Sequence, residues 1–121
     1  MTILIVDDDA QCRVMLVETL ESYGIEAFSA NNVQTAMPFL ILASVDAVLC
    51  DGLRGQWISV WREATKREKL FALLSGDPYQ IDAACTLGVR AYMKPFDLAT
   101  ILRGLGIDIP EALPDATGYP Q

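Results

Sequence analysis

No histidine occurs in the 121 residues. Serine or cysteine nucleophiles activated by an imidazole, an internal histidine phospho-carrier and histidine-containing zinc sites are therefore excluded. Chemistry is left to carboxylates, hydroxyls, lysine and a bound metal. Cysteine is scarce: Cys12, Cys50 and Cys85 form no CxxC pair. Neither a disulfide framework nor a thiolate metal site is expected, and each cysteine reads as a small buried core residue. The odd count fits a reducing compartment.

Long apolar runs are missing as well, none approaching the roughly 20 residues that span a bilayer. Basic charge is sparse, with 9 basic against 16 acidic residues, a formal charge of −7, and no basic run longer than KREK at 66–69. Neither membrane insertion nor direct nucleic-acid binding is expected. The sequence opens almost directly on an apolar run, without the basic and hydrophobic regions of a secretory signal, and a cytoplasmic address is the expectation.

What is present is a core: 52% of the residues are apolar and 21% charged, in a length suited to one domain. Five short apolar runs stand out: TILIV (2–6), IEAFS (25–29), DAVLC (46–50), LFALL (70–74) and VRAYM (89–93). The first, third and fourth are nearly continuous, as in strands covered on both faces. Helical segments between them predict βα units and a parallel sheet.

The helices have readable ends. Asp9 is the expected N-cap of a helix over 10–22, with Met15, Leu16, Thr19, Leu20 and Tyr23 inward and Gly24 as its stop. Asn32 caps a second, to about Ala43, in which Pro38 predicts a kink or a late start. Further helices are expected over 57–69, over 79–87 before Gly88, and over 97–105 before Gly106. Residues 1–106 form the predicted domain. The segment 107–121, with three prolines, reads as a tail or a linker stump.

One stretch needs a chemical reason. In TILIVDDDAQ, residues 2–11, four apolar residues run into three aspartates. Like charges a few ångströms apart repel by roughly 1 kcal/mol even in water, and a cation is the obvious offset. Ligands of an open parallel sheet gather at the carboxyl ends of its strands. Asp7, Asp8, Asp51, Ser75 and Lys94 all fall there. Three converging carboxylates make a hard-oxygen site suited to Mg²⁺ with room for a phosphoryl group. Lysine supplies positive charge to phosphate oxygens, a serine hydroxyl donates to one of them, and Asp51 reads as a nucleophile forming an acyl phosphate. Asp9 reads as the helix cap and not as a ligand.

The fragments ILIVDDD, AVLCD, ALLSG and AYMKPF, in this order, resemble a response-regulator receiver domain of two-component signalling over residues 2 to about 106. The resemblance implies a flavodoxin-like (CheY-like) α/β fold, a five-stranded doubly wound parallel sheet with strand order 2-1-3-4-5. It also implies a phosphoacceptor that takes its phosphoryl group from a sensor histidine kinase or histidine phosphotransfer protein and then acts on a downstream protein partner. Such a chain is no enzyme toward outside substrates. By position, Asp8 matches the direct Mg²⁺ ligand, Asp7 an acid acting largely through water, and Leu53 a residue lending its carbonyl to the metal. Asp51 matches the phosphoacceptor, Ser75 the switch hydroxyl, Lys94 the phosphate-binding lysine and Tyr92 the aromatic that turns inward on activation. The Lys94–Pro95 bond matches one that is usually cis.

Departures cluster after Asp51. CDGLRGQWISVWRE lacks the family's Met-Pro, and the stretches to Ser75 and from Ser75 to Lys94 are several residues short. A shortened or re-angled third helix is expected, beneath a loop that Gly52 and Gly55 make adaptable. Arg54 reads as solvated, or as a partner for the acids or for phosphate. Trp57 and Trp61 form an apolar stripe, read first as core. Asp77, before Pro78, is either a turn opener or a residue flanking the phosphate. The competing function is a pseudo-receiver, an interaction module working without phosphorylation. A haloacid-dehalogenase-like phosphatase is disfavoured, because Gln11 stands where that family's DxD motif wants Thr.

Overall fold

The computed structural model describes residues 1–110. Five strands, β1 (Thr2–Val6), β2 (Glu26–Ala30), β3 (Ala47–Asp51), β4 (Leu70–Ser75) and β5 (Ala91–Met93), alternate with five helices. These are α1 (Ala10–Ser22), α2 (Val33–Leu42), α3 (Trp57–Lys66), α4 (Pro78–Thr86) and α5 (Leu98–Gly104), with a 3-10 turn at Leu53–Gly55. All strand pairs are parallel, in the order β2-β1-β3-β4-β5. The expected fold class and strand order are those observed. Among the described residues no helix is long and apolar enough to cross a membrane.

Alternation along the strands divides the core into two layers. Leu4, Val6, Val48, Cys50, Phe71 and Leu73 face α2, α3 and α4, where Trp57, Val60 and Ala64 complete the packing. Ile3, Ile5, Ala47, Leu49, Ala72 and Leu74 face Leu16 and Leu20 of α1 and Leu98, Ile101 and Leu102 of α5. The expected Trp stripe is core: Trp57 is fully buried, and its ring lies 6.2 Å from Trp61 and 6.3 Å from Phe71.

Several local expectations need correction. Met15 is exposed, and Thr19 and Tyr23 are only half-buried, so the inward side of α1 is narrower, centred on Leu16 and Leu20 four residues apart. Only Cys50 is buried; Cys12 is half-buried and Cys85 exposed, because α4 buries a single residue, Ala84. The second helix does not start late. It begins at Val33, held by a capping box between Asn32 and Thr35, and runs through Pro38. The third helix stops at Lys66, three residues early, because Glu68 adopts a left-handed conformation (φ 59°). The Lys69 N–H then reaches back to the Ala64 carbonyl and the Glu68 N–H to that of Thr65, a Schellman stop built on a residue other than glycine. Strand β5 spans three residues instead of the expected five. Of the expected tail, Ile107 is buried beside α5; residues 111–121 lie outside the described residues.

Candidate functional site

Register brings the polar residues together. Val6 pairs with Cys50, which sets Asp7 and Asp51 side by side at the ends of β1 and β3. Asp51 pairs with Leu74 and Ser75 with Met93, so Ser75 and Lys94 stand slightly farther along the same edge. Lys94 leaves β5 and must cross β4 to reach Asp51, about two strand spacings or 9–10 Å. A long side chain meets that span: its Nζ lies 2.6 Å from Asp51 Oδ1 and 3.4 Å from Asp7 Oδ2. The Lys94–Pro95 bond is cis.

Asp7 is 3% exposed, and a buried carboxylate requires partners. Its Oδ1 accepts the Asp9 N–H at 2.9 Å and its Oδ2 faces Lys94. Arg13 Nη1 donates to the Asp7 carbonyl at 2.6 Å, pinning the turn from β1 into α1. Asp8 is exposed and borders a cleft of about 230 Å³ shared with Asn31, Asn32, Leu53, Arg54 and Gln56. Oxygens of Asp7, Asp8 and Asp51 lie within 4.8 Å of one another. An all-carboxylate set this tight, open on one side, fits a hard divalent cation such as Mg²⁺ or Ca²⁺. Asp9 points away from it and caps α1, accepting the N–H groups of Gln11 and Cys12.

The acids also set the state of their neighbours. Burial pulls the Lys94 ammonium down, but the hydrogen bond and charge of Asp51, with the charge of Asp7, outweigh it and leave its pKa above the ordinary lysine value. Burial, then the adjacent Asp7 carboxylate, push the Cys12 thiol up to about 12. It stays a thiol and offers no nucleophile.

The loop after Asp51 is tightly wound. Leu53 and Arg54 both have positive φ, 49° and 55°, a conformation that costs a side-chain-bearing residue energy. The Leu53 N–H repays part of it by donating to Asp51 Oδ2 at 3.1 Å. The Leu53 carbonyl accepts the Gln56 N–H, which leaves it one lone pair for a cation. Arg54 is exposed and forms no ion pair among the described residues.

Ser75 is buried beside this group, yet its hydroxyl is turned to α4. Ser75 Oγ accepts the Asp77 N–H at 3.0 Å and donates to Gln80 Oε1 at 2.5 Å. The other end of that amide, Gln80 Nε2, donates to the Gly52 carbonyl at 3.4 Å. Asp77 caps α4 through the Tyr79 N–H, as expected of a turn opener. Tyr92 is half-buried against the α5 layer, with its hydroxyl lying against Gly104. Gln80 and Arg13 were not foreseen from the sequence. Gln80 occupies the third helical position after an Asp cap, where a capping box would send it back to the Asp77 N–H. Ser75 already satisfies that N–H, and the amide is free to bridge.

No family model matches the sequence, and no match is found among curated proteins. Solved structures do match, many of them response-regulator receivers. One is a response regulator from Thermotoga maritima, with 26% identity over 87% of this chain and 93% of that one and a TM-score of 0.71. Another is a receiver protein from Burkholderia phymatum, with 24% identity, 91% and 98% coverage and a TM-score of 0.77. A third, from Burkholderia pseudomallei, carries a phosphorylated aspartic acid and a calcium ion; it has 20% identity, 86% and 65% coverage and a TM-score of 0.73. The chain has the CheY-like receiver fold.

Proposed function

We propose that this chain is the phosphoacceptor receiver of a two-component phosphorelay. One observation carries the reading: the oxygens of Asp7, Asp8 and Asp51 converge within 4.8 Å while Lys94 Nζ sits 2.6 Å from Asp51. A phosphohistidine on a sensor kinase or histidine phosphotransfer protein is the donor. The donor's N–P bond breaks, an Asp51 oxygen supplies the electron pair of the new O–P bond, and the imidazole leaves with the old pair. Asp7, Asp8, Asp51 and the Leu53 carbonyl would hold Mg²⁺, which would supply positive charge against the phosphoryl oxygens. Lys94 follows the negative charge from the carboxylate to the phosphoryl oxygens, and Ser75 donates its proton to one of them. Tyr92 then moves toward the space Ser75 leaves, and a downstream protein partner reads the changed surface. The chain turns over no outside substrate. A cytoplasmic address goes with this reading, and the three free cysteines support it.

A pseudo-receiver, recognised by partners without modification, is the second reading. It is favoured by one observation, the Ser75 hydroxyl already bonded to Gln80. Intact mass after incubation with acetyl phosphate and Mg²⁺ separates the two. The phosphoacceptor gains one phosphoryl group, lost in Asp51→Asn and in EDTA. No gain under any condition leaves the pseudo-receiver.

A further inference from the structure

Resting on the phosphoacceptor reading, we propose that Gln80 is a positioning residue that gates the Ser75 hydroxyl. Its amide holds the proton that a phosphoryl group on Asp51 must receive, and ties α4 to the loop after Asp51 until that proton is released.

The geometry leaves little freedom. A serine hydroxyl has one proton, and Ser75 donates it to Gln80 Oε1. The orientation of the amide is set by its other end, since the Gly52 carbonyl can only accept and must meet the NH₂. A phosphoryl oxygen on Asp51 therefore competes with Gln80 for the same proton. When the phosphoryl wins, Gln80 loses its acceptor role and its hold on Ser75. Besides Gln80, that end of α4 is tied to the sheet by the Asp77 N–H on Ser75 Oγ; the helix buries only Ala84, in the following turns, with Ile81 partly buried. Releasing Gln80 removes the side-chain half of this tie and loosens the first turn of the helix.

Gly52 is the matching half of the device. A Cβ at residue 52 would overlap the carboxamide of Gln80, so the bridge requires glycine there. The backbone does not, because Gly52 has an ordinary right-handed helical conformation, φ −61° and ψ −28°. The altered loop after Asp51 thus pairs with Gln80: the small residue admits the amide that holds the hydroxyl.

Two variants remove the gate by different routes. Gln80→Leu keeps the volume and deletes the amide. Gly52→Ala keeps Gln80 and pushes its amide out, displacing only the end of a flexible side chain; it serves if Gln80→Leu does not fold. Each is compared with the intact protein for the fraction phosphorylated by limiting acetyl phosphate and Mg²⁺. Transfer breaks the acyl O–P bond, releases acetate and forms the Asp51 O–P bond. Hydrogen exchange across residues 52–56 and 77–81 is followed before and after. The variants should reach a phosphorylated-to-free ratio roughly threefold to tenfold higher, the size expected when one neutral hydrogen bond need no longer be broken. In the unmodified intact protein both segments should be protected, and phosphorylation should remove that protection. In the variants they should exchange fast from the outset and change no further.

Phosphoryl uptake by the variants alone would mean that the gate is closed under these conditions, and supports the proposal. Equal ratios in all three proteins, or unchanged exchange at 77–81 on phosphorylation, would overturn the gate and leave the phosphoacceptor standing. No uptake by any of them overturns the phosphoacceptor reading and the gate together.

Discussion

Along the carboxyl edge of the sheet, Lys94 bonds directly to both Asp7 and Asp51, whereas Ser75, on the strand beside Asp51, gives its proton to Gln80 on α4. The acid side rests on β1, β3 and β5 and is balanced by charge: a cation already lies between two carboxylates. Replacing or supplementing that cation needs small movements of a lysine stem. The hydroxyl side rests on a helix with one buried residue, and engaging it requires one hydrogen bond to break before another forms. Under the proposed function, these are separate energetic controls. The acids and lysine govern whether phosphoryl binds, and Gln80 governs what binding does to α4.

The largest effect on this comparison should come from its floor. Trp57 follows the loop that joins the two sides and is 1% exposed, against Trp61 and Phe71. Trp57→Ala should cost about 3–5 kcal/mol, as for other large aromatic truncations in cores. Urea denaturation followed by circular dichroism measures it. A loss below about 1 kcal/mol would mean that the loop and β4 are held by something other than this ring.

Removing the cation attacks the acid side alone. Lys94→Met leaves two carboxylates facing each other, and should cost about 2–3 kcal/mol in EDTA, less than a fully buried pair because the lysine is partly exposed. Mg²⁺ should recover much of that loss. A metal that no longer competes with an ammonium binds the native state more tightly, and ligand binding adds stability in proportion to that affinity. The checking measurement is a pair of urea curves, with Mg²⁺ and with EDTA, for both proteins. A variant as stable as the parent without metal would remove the ammonium from the account of the acid side.

The acid side was legible in the sequence because it obeys general rules. Apolar runs ending in Asp7, Asp51 and Lys94 place these residues at strand ends, and parallel register aligns them. Helix ends marked by Gly24, Gly88 and Gly106 were legible too, each glycine holding the positive φ of a helix stop. The end of α3 was not, since Glu68 takes the same conformation without the side chain that announces it. Cys85 was misread because its apolar neighbours belong to a helix in which Ala84 alone is fully buried. The partner of Ser75 could not be inferred: Gln80 lies at a capping position whose usual target, the Asp77 N–H, is satisfied from elsewhere. Local patterns give the strand ends, and competition for a single proton appears only when the helix is in place.

The smallest expected effect concerns the boundary of the acid side, at the third aspartate of the opening run. Asp9 accepts two N–H groups at the start of α1, so Asp9→Ala should cost about 1 kcal/mol of stability through the lost cap. It should leave Mg²⁺ affinity nearly unchanged, because screening weakens a charge that touches the cation only through solvent. Asp8→Asn should do the opposite: little change in the urea midpoint, since Asp8 is exposed, and a loss of Mg²⁺ affinity on the order of tenfold or more, since one anionic ligand becomes neutral. Calorimetric titration of both variants reads the two outcomes side by side. Equal losses of affinity would make Asp9 a ligand and widen the metal site into α1. The expected split instead assigns Asp7 and Asp8 to the cation and Asp9 to the helix, and three adjacent aspartates then serve two purposes.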